Sequence, residues 1–322
     1  MILSASRRTD IPAFYSDWFF QRIKEGSFCV RNPMNPHRIS RLNISPEVVD
    51  CIVFWTKNPE PMLQRLDELS GYDYYFQYTI NSYGGEAEPF IPPLAQRLET
   101  FRRLSERIGK ERVIWRYDPV FFSDKYTPEW HLESFARTAQ ALNGFTKKCV
   151  FSFVDIYPSK NSRNLSNLHI RQPDSENLDW FAGQMAEIAA ENNLALATCA
   201  EAIDLSKHGI EKNSCIDRAL IERITGSKLK VGQDAQRPNC GCVKCDDIGA
   251  YDTCTHGCVY CYANYRSEIV REKARRIDVN SPLLCDSIDE SVDKVTDRPL
   301  KSYKDNNGGN GGGDSQITLF DI

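Results

Sequence analysis

The sequence predicts an α/β protein, a full or partial (β/α) barrel with a cysteine loop displaced to the C-terminal part of the chain. Three observations carry that prediction. Six short runs rich in β-branched and aromatic residues recur at 1–6, 51–56, 74–80, 112–117, 149–154 and 194–199. Between them lie stretches with apolar residues three and four apart, such as 94–108 and 129–142, the spacing of an amphipathic helix. The runs are nearly continuous in apolar character, which belongs to parallel strands covered on both faces. Six such units suit a barrel better than two halves of a doubly wound sheet.

Each run hands over to polar chemistry. The first leads into Arg7, Arg8, Thr9 and Asp10, and the second into Lys57. The fourth carries Arg116 and Tyr117 and ends at Asp118; the fifth ends at Asp155, and the sixth passes through Cys199 to Glu201. The carboxyl ends of parallel strands form the active face of such folds, so these residues predict one ligand-binding mouth. Capping of the next helix is the competing role for Asp10 and Asp155. Core packing is the competing role for Tyr117.

Composition narrows the class. With 322 residues, 41% hydrophobic and 26% charged, the chain is globular rather than disordered. No apolar stretch is long enough to span a bilayer, and the N-terminus lacks the pattern of a signal peptide. A cytoplasmic protein is expected. Forty basic against 44 acidic residues give a net charge of −4, so no overall positive field attracts nucleic acid. Twelve cysteines stand out, eight of them between Cys199 and Cys261. Clustering of this kind in such a protein points to metal or redox chemistry rather than to disulfides. The expected organisation is a barrel core at 1–205 and a cysteine-rich metal-binding region at 206–281 closing its mouth. A flexible tail at 282–322 completes it.

The strongest motif is Cys254-x3-Cys258-x2-Cys261, with Tyr260 before the last cysteine. Three thiolates on a short glycine-containing loop can hold three irons of a cubane and leave the fourth open. Zinc is the alternative, with His256 or another cysteine as fourth ligand, or water in a catalytic site. The spacing resembles the signature of the radical S-adenosylmethionine enzymes, and the string 254–264 is similar to the cluster loop of their spore photoproduct lyase-like branch. That resemblance implies a [4Fe-4S] cluster on Cys254, Cys258 and Cys261, with Tyr260 against the adenine of S-adenosylmethionine. It further implies an electron donor as a partner. Arg7, Arg8, Lys57 and Arg116 are then candidate grips on the cofactor's carboxylate or a substrate phosphate. Asp10, Asp118 and Glu201 are candidates for its ribose or amine, and Tyr117 and Asp10 are the catalytic candidates. The superfamily usually carries this loop after its first strand; here it follows six, as in a permuted barrel. Gly84-Gly85-Glu86 echoes the superfamily's Gly-Gly-Glu motif but reads more simply as a turn. The wider chain, with its opening Ser4-Ala5-Ser6-Arg7-Arg8-Thr9-Asp10, resembles an uncharacterised bacterial family ending in such a cysteine loop.

Two further features remain. Cys199, Cys215, Cys240 and Cys242, with Cys245 to spare, are candidates for a second Fe–S cluster or a structural zinc; Cys199 could instead be a small buried hydrophobe. At the chain end, the glycine-rich 306–314 reads as a linker. Beyond it, Gln316, Leu319 and Phe320 resemble the peptide that docks on the bacterial DNA sliding clamp. The expected function is an iron–sulfur radical enzyme acting on a nucleic-acid lesion or modified base. Trp55, Trp115 and Tyr117 are candidates to stack on a base, with packing as their simpler role. The alternatives are a zinc-dependent barrel hydrolase or nuclease, and a non-catalytic, metal-stabilised module recruited by the clamp.

Overall fold

The six predicted runs become six adjacent parallel strands. The computed structural model describes residues 1–157, 161–171, 175–235 and 238–305. The strands in chain order are β1 (Ile2–Ala5), β2 (Ser27–Arg31), β3 (Arg38–Asn43), β4 (Cys51–Thr56), β5 (Tyr74–Thr79) and β6 (Val113–Val120). They continue with β7 (Lys148–Phe153), β8 (Ala195–Cys199), β9 (Glu211–Asn213), β10 (Asp246–Asp247) and β11 (Lys294–Asp297). The helices are α1 (Ile11–Phe14), α2 (Ser16–Glu25), α3 (Glu60–Leu63), α4 (Leu94–Ile108) and α5 (Pro128–Leu142). After them come α6 (Ser162–Ser166), α7 (Ser175–Glu191), α8 (Arg218–Thr225) and α9 (Ser267–Arg275).

The main sheet has eight parallel strands in the order β10-β1-β4-β5-β6-β7-β8-β9. Alternation along each strand divides its side chains between two cores. Leu3, Phe54, Phe76, Trp115 and Phe151 pack with Trp18, Phe101, Phe135 and Phe181 of α2, α4, α5 and α7. Ile2, Val53, Tyr75, Ile114 and Val150 face the other way, against Cys215, Ile216, Leu220, Val231 and Val243. The helix-covered face therefore matches the amphipathic stretches read from the sequence. Helix α5 begins where Thr127 accepts the Trp130 N–H at 3.2 Å, with Pro128 in the first turn.

The region 206–281 contributes strands to this sheet. It supplies both edges, β9 beside β8 and β10 beside β1. These edge strands are not hydrogen-bonded to each other. The segment between them spans the gap: the Val243 N–H donates to the Ile216 carbonyl at 3.3 Å, and Ser214 Oγ to that of Gly241 at 2.8 Å.

Packing and strand pairing continue beyond residue 282. Leu283 and Leu284 are buried, and β11 pairs in parallel with β3 in a small sheet that β2 joins antiparallel. Strand β11 lies mostly exposed, so it carries no apolar alternation for sequence reading to find. The glycine-rich linker and the terminal peptide at 316–320 lie outside the described residues. Among the described residues, no helix is long and apolar enough to cross a membrane.

Candidate metal centre

The loop carrying Cys254, Cys258 and Cys261 rests on the carboxyl ends of the first strands in the sheet. Its turn needs Gly257: φ is +72°, and a Cβ there would stand 2.9 Å from the Phe90 ring. Backbone bonds tie the loop to the segment after β5, from the Phe90 N–H to the His256 carbonyl at 3.2 Å and from Val259 to Ala87 at 3.0 Å. Asn264 Nδ2 donates to the Cys254 carbonyl at 2.7 Å, and the Ala263 N–H to Cys261 Sγ at 3.3 Å.

Asp10 pins the loop from the β1 side. Its Oδ1 accepts the Ala13 N–H at 3.0 Å, capping α1, while Oδ2 accepts the Lys57 N–H at 2.7 Å and bonds His256 Nε2 at 2.8 Å. The carboxylate expected as catalytic is thus committed to holding α1, the end of β4 and the cysteine loop together. His256 packs on Phe14 with ring centroids 4.5 Å apart.

Tyr260 meets a polar knot from the β5 side. Glu88 Oε1 accepts from Lys57 Nζ at 2.8 Å, from Asn81 Nδ2 at 3.2 Å and from the Tyr260 hydroxyl. Lys57 Nζ also stands 5.5 Å from the Tyr260 ring centre. Burial pushes Glu88 toward its neutral form, but the charges of Lys57 and Arg97 prevail and hold it below the ordinary glutamate value. Its second oxygen, Oε2, is buried with no hydrogen-bond partner. Burial pushes the Cys258 thiol up to about 12, with Lys57 pulling the other way. Cys254 is pushed up by burial and then by charge at Asp10, Cys261 and Cys258, so the three thiols sense one another.

The remaining mouth residues are less free than expected. Asp247 accepts from Ser4, Ser6, the Arg7 N–H and Arg8 Nε at 2.7–3.0 Å, and Arg8 Nη2 donates to its carbonyl at 2.6 Å. Arg7 Nη2 reaches Cys245 Sγ at 3.1 Å. Although burial opposes ionisation, Arg8 and Arg7 bring the Asp247 pKa down to about 2. Arg116 Nε donates to Asp118 at 3.1 Å, and Nη1 to Cys215 Sγ at 3.0 Å. Glu201 Oε1 accepts the Phe153 N–H at 2.9 Å. These arginines lie nearly buried, and a buried guanidinium needs a countercharge from its own chain. Tyr117 is not at the mouth: it is buried on the helix-covered face, its hydroxyl 2.7 Å from His131 Nδ1. Trp115 is fully buried beside it, whereas Trp55 is partly exposed under Arg116. Gly84 and Glu86 form a turn, with Glu86 paired outward to Lys125.

Of the expected residues, then, Asp10, Lys57, Cys254, Cys258, Tyr260 and Cys261 come together. Sequence reasoning missed Glu88, Asn81 and Asp247. Glu88 follows the Gly84 turn within four residues, which was the available signal.

Among the described residues, no three His, Cys, Asp or Glu side chains gather round one point as a single ion would require. A cubane spreads its cysteines over separate irons and does not ask for that convergence. Three neighbouring thiols on a glycine turn, beside a lysine and a buried carboxylate oxygen without a partner, fit such a cluster with a small cationic ligand alongside. Of the second candidate set, Cys199 Sγ lies 3.0 Å from Cys215 Sγ, and the Ile216 N–H donates to Cys242 Sγ at 3.3 Å. None of the twelve cysteines is in a disulfide.

The family described as "Domain of unknown function (DUF1848)" matches residues 2–263, so the chain belongs to that family. No curated protein and no solved structure matches it.

Proposed function

We propose that the chain is an iron–sulfur enzyme of the radical S-adenosylmethionine type, with a [4Fe-4S] cluster on Cys254, Cys258 and Cys261. The observation that supports this most is the meeting of those thiols with Tyr260, Lys57 and Glu88 at the strand ends. When bound, the cluster would supply one electron to the cofactor, whose own chemistry then follows. In this reading the parallel sheet is the wall of an incomplete barrel, open at the loop.

The chain's residues have three tasks. Glu88 Oε2 accepts a proton-bearing nitrogen such as the cofactor's amine, and Lys57 balances the charge of cluster and carboxylate together. Tyr260, held by its hydroxyl, offers its ring face to the adenine. Asp10 acts as a positioning residue through His256. Arg7, Arg8 and Arg116, already paired, serve the scaffold.

A nucleic-acid lesion or modified base is the proposed substrate class. Phe14, Phe90, Tyr262 and Tyr265 are exposed large rings on or beside the loop, and an extruded base can stack on such rings. The clamp-like peptide would compensate for the acidic net charge by tethering the enzyme near DNA. Free thiols of this number suit a reducing, cytoplasmic compartment.

The test is anaerobic reconstitution with iron and sulfide, reduction, and mass-spectrometric detection of 5′-deoxyadenosine formed from S-adenosylmethionine. Wild type yields it and Cys258→Ala does not. A protein with its full iron and no product overturns the reading. Zinc in place of iron at the loop would favour the hydrolase.

A further inference from the structure

Arg41, Arg103, Arg107 and Arg137 are exposed, and each answers a carboxylate of its own chain at 2.7–3.4 Å. Helix α9 departs from that pattern. Among the described residues, its N-cap Arg266 and the helical Arg271 and Arg275 are exposed and form no ion pair or side-chain hydrogen bond. Arg38 of β3 and Arg223 of α8 are also exposed without an ion pair, but only one to an element. From Tyr265 to Arg276 five basic residues stand against two acidic ones, a local charge of +3 on a chain of net −4.

The helix is fixed to the cysteine loop. Val270 is buried, Lys273 Nζ donates to the Tyr251 carbonyl at 3.0 Å, and the Tyr265 N–H donates to Asp252 Oδ1 at 2.6 Å. Lys273 also stands 3.7 Å from the Asp252 carboxylate. The two acidic side chains of α9 have their own partners: Glu272 pairs with Arg276, and Glu268 accepts the Ser267 hydroxyl at 3.0 Å. Arg271 and Arg275, one turn apart, share a face of the helix. In the chain between Cys261 and α9 the rings of Tyr262 and Tyr265 are 38% and 48% exposed.

Building on the nucleic-acid reading above, we infer that Arg266, Arg271 and Arg275 of α9, with the rings of Tyr262 and Tyr265, form the surface that takes a single nucleic-acid strand and leads it to the cysteine loop. A guanidinium without a carboxylate of its own pairs bidentately with phosphate oxygens. Exposed rings beside such cations stack bases with little regard to sequence, the combination that single-strand sites use. An acidic protein would engage the arginines and leave both rings without a task. The local positive field draws in the strand where the net charge of the whole chain does not.

The test is fluorescence anisotropy of a labelled oligo(dT) strand titrated with the reconstituted full chain at rising salt. Wild type should bind, and more weakly as salt rises. Arg266→Gln, Arg271→Gln and Arg275→Gln together should weaken binding about tenfold and reduce the slope of log affinity against log salt by about 2, as loss of three phosphate contacts requires. Arg223→Gln, on α8, should bind like wild type. Should the triple variant fail to fold, Arg271→Gln alone should lower the slope by about 0.7. A triple variant with unchanged affinity and slope, or an equal loss in Arg223→Gln, overturns the surface and leaves the nucleic-acid reading standing. Absence of binding by wild type removes both. Displacement of the strand by poly-glutamate at equal charge would assign α9 to an acidic protein instead. Formation of 5′-deoxyadenosine in the same preparations reports on the radical chemistry separately, because the three arginines lie outside the thiol, Lys57 and Glu88 set.

Discussion

The loop at 254–261 draws its three cysteines from one short stretch, whereas the row at Cys199, Cys215, Cys240 and Cys242 is assembled from three segments. The loop's cysteines are partly exposed and lie beside a charged knot with a carboxylate oxygen to spare. Three of the four thiols in the row are buried among apolar side chains, with Arg116 and the Ile216 N–H turned on the sulfurs. The difference is one of surroundings, charged and partly exposed at the loop, apolar and mostly buried at the row.

The largest effect is expected at Glu88. Glu88→Ala leaves Lys57 buried without its carboxylate and frees Tyr260, and breaking such a pair costs about 3 kcal/mol. S-Adenosylmethionine binding, read by calorimetry, should fall. Retained cofactor affinity would remove Glu88 from the site. Next is Asp247, whose folded pKa of about 2 lies below the ordinary aspartate value of 3.8. A folded value below the unfolded one stabilises the protein above pH ~5, by about 2 kcal/mol, and that contribution fades as pH falls through 4 toward 2. Denaturant titrations should show Asp247→Asn losing that amount at pH 7 and almost none near pH 2.

The parts that were legible in the sequence share a physical cause. Strands such as β4, Cys-Ile-Val-Phe-Trp-Thr, are buried on both faces and announce themselves by composition. Edge strands do not: β9 is Glu-Lys-Asn and β10 is Asp-Asp, defined by pairing alone. The cysteine loop was legible because its spacing is local. Glu88 was not, because a turn nine residues beyond β5 delivers it to Lys57 across the fold. The arginines after β1 and on β6 were legible as charge, but their partners Asp247 and Asp118 decide what that charge can do.

Smaller effects sharpen the contrast. Gly257→Ala forces a Cβ into a left-handed turn against Phe90, at about 1–2 kcal/mol. Iron bound at the loop should drop partly; unchanged iron would mean the turn does not shape the site. Last, Leu319→Ala with Phe320→Ala should leave iron at the loop unchanged and abolish binding to a bacterial sliding clamp in a surface-binding assay. Undiminished binding would discard the tether.

The most direct measurement is electron paramagnetic resonance of the reduced, reconstituted chain with and without S-adenosylmethionine, with iron, sulfide and zinc counted in the same sample. The expected result is a cluster signal that changes when the cofactor reaches the open iron. In Cys258→Ala the iron signal should be lost. A cluster signal indifferent to S-adenosylmethionine, or a loop that holds zinc and no iron, would contradict it.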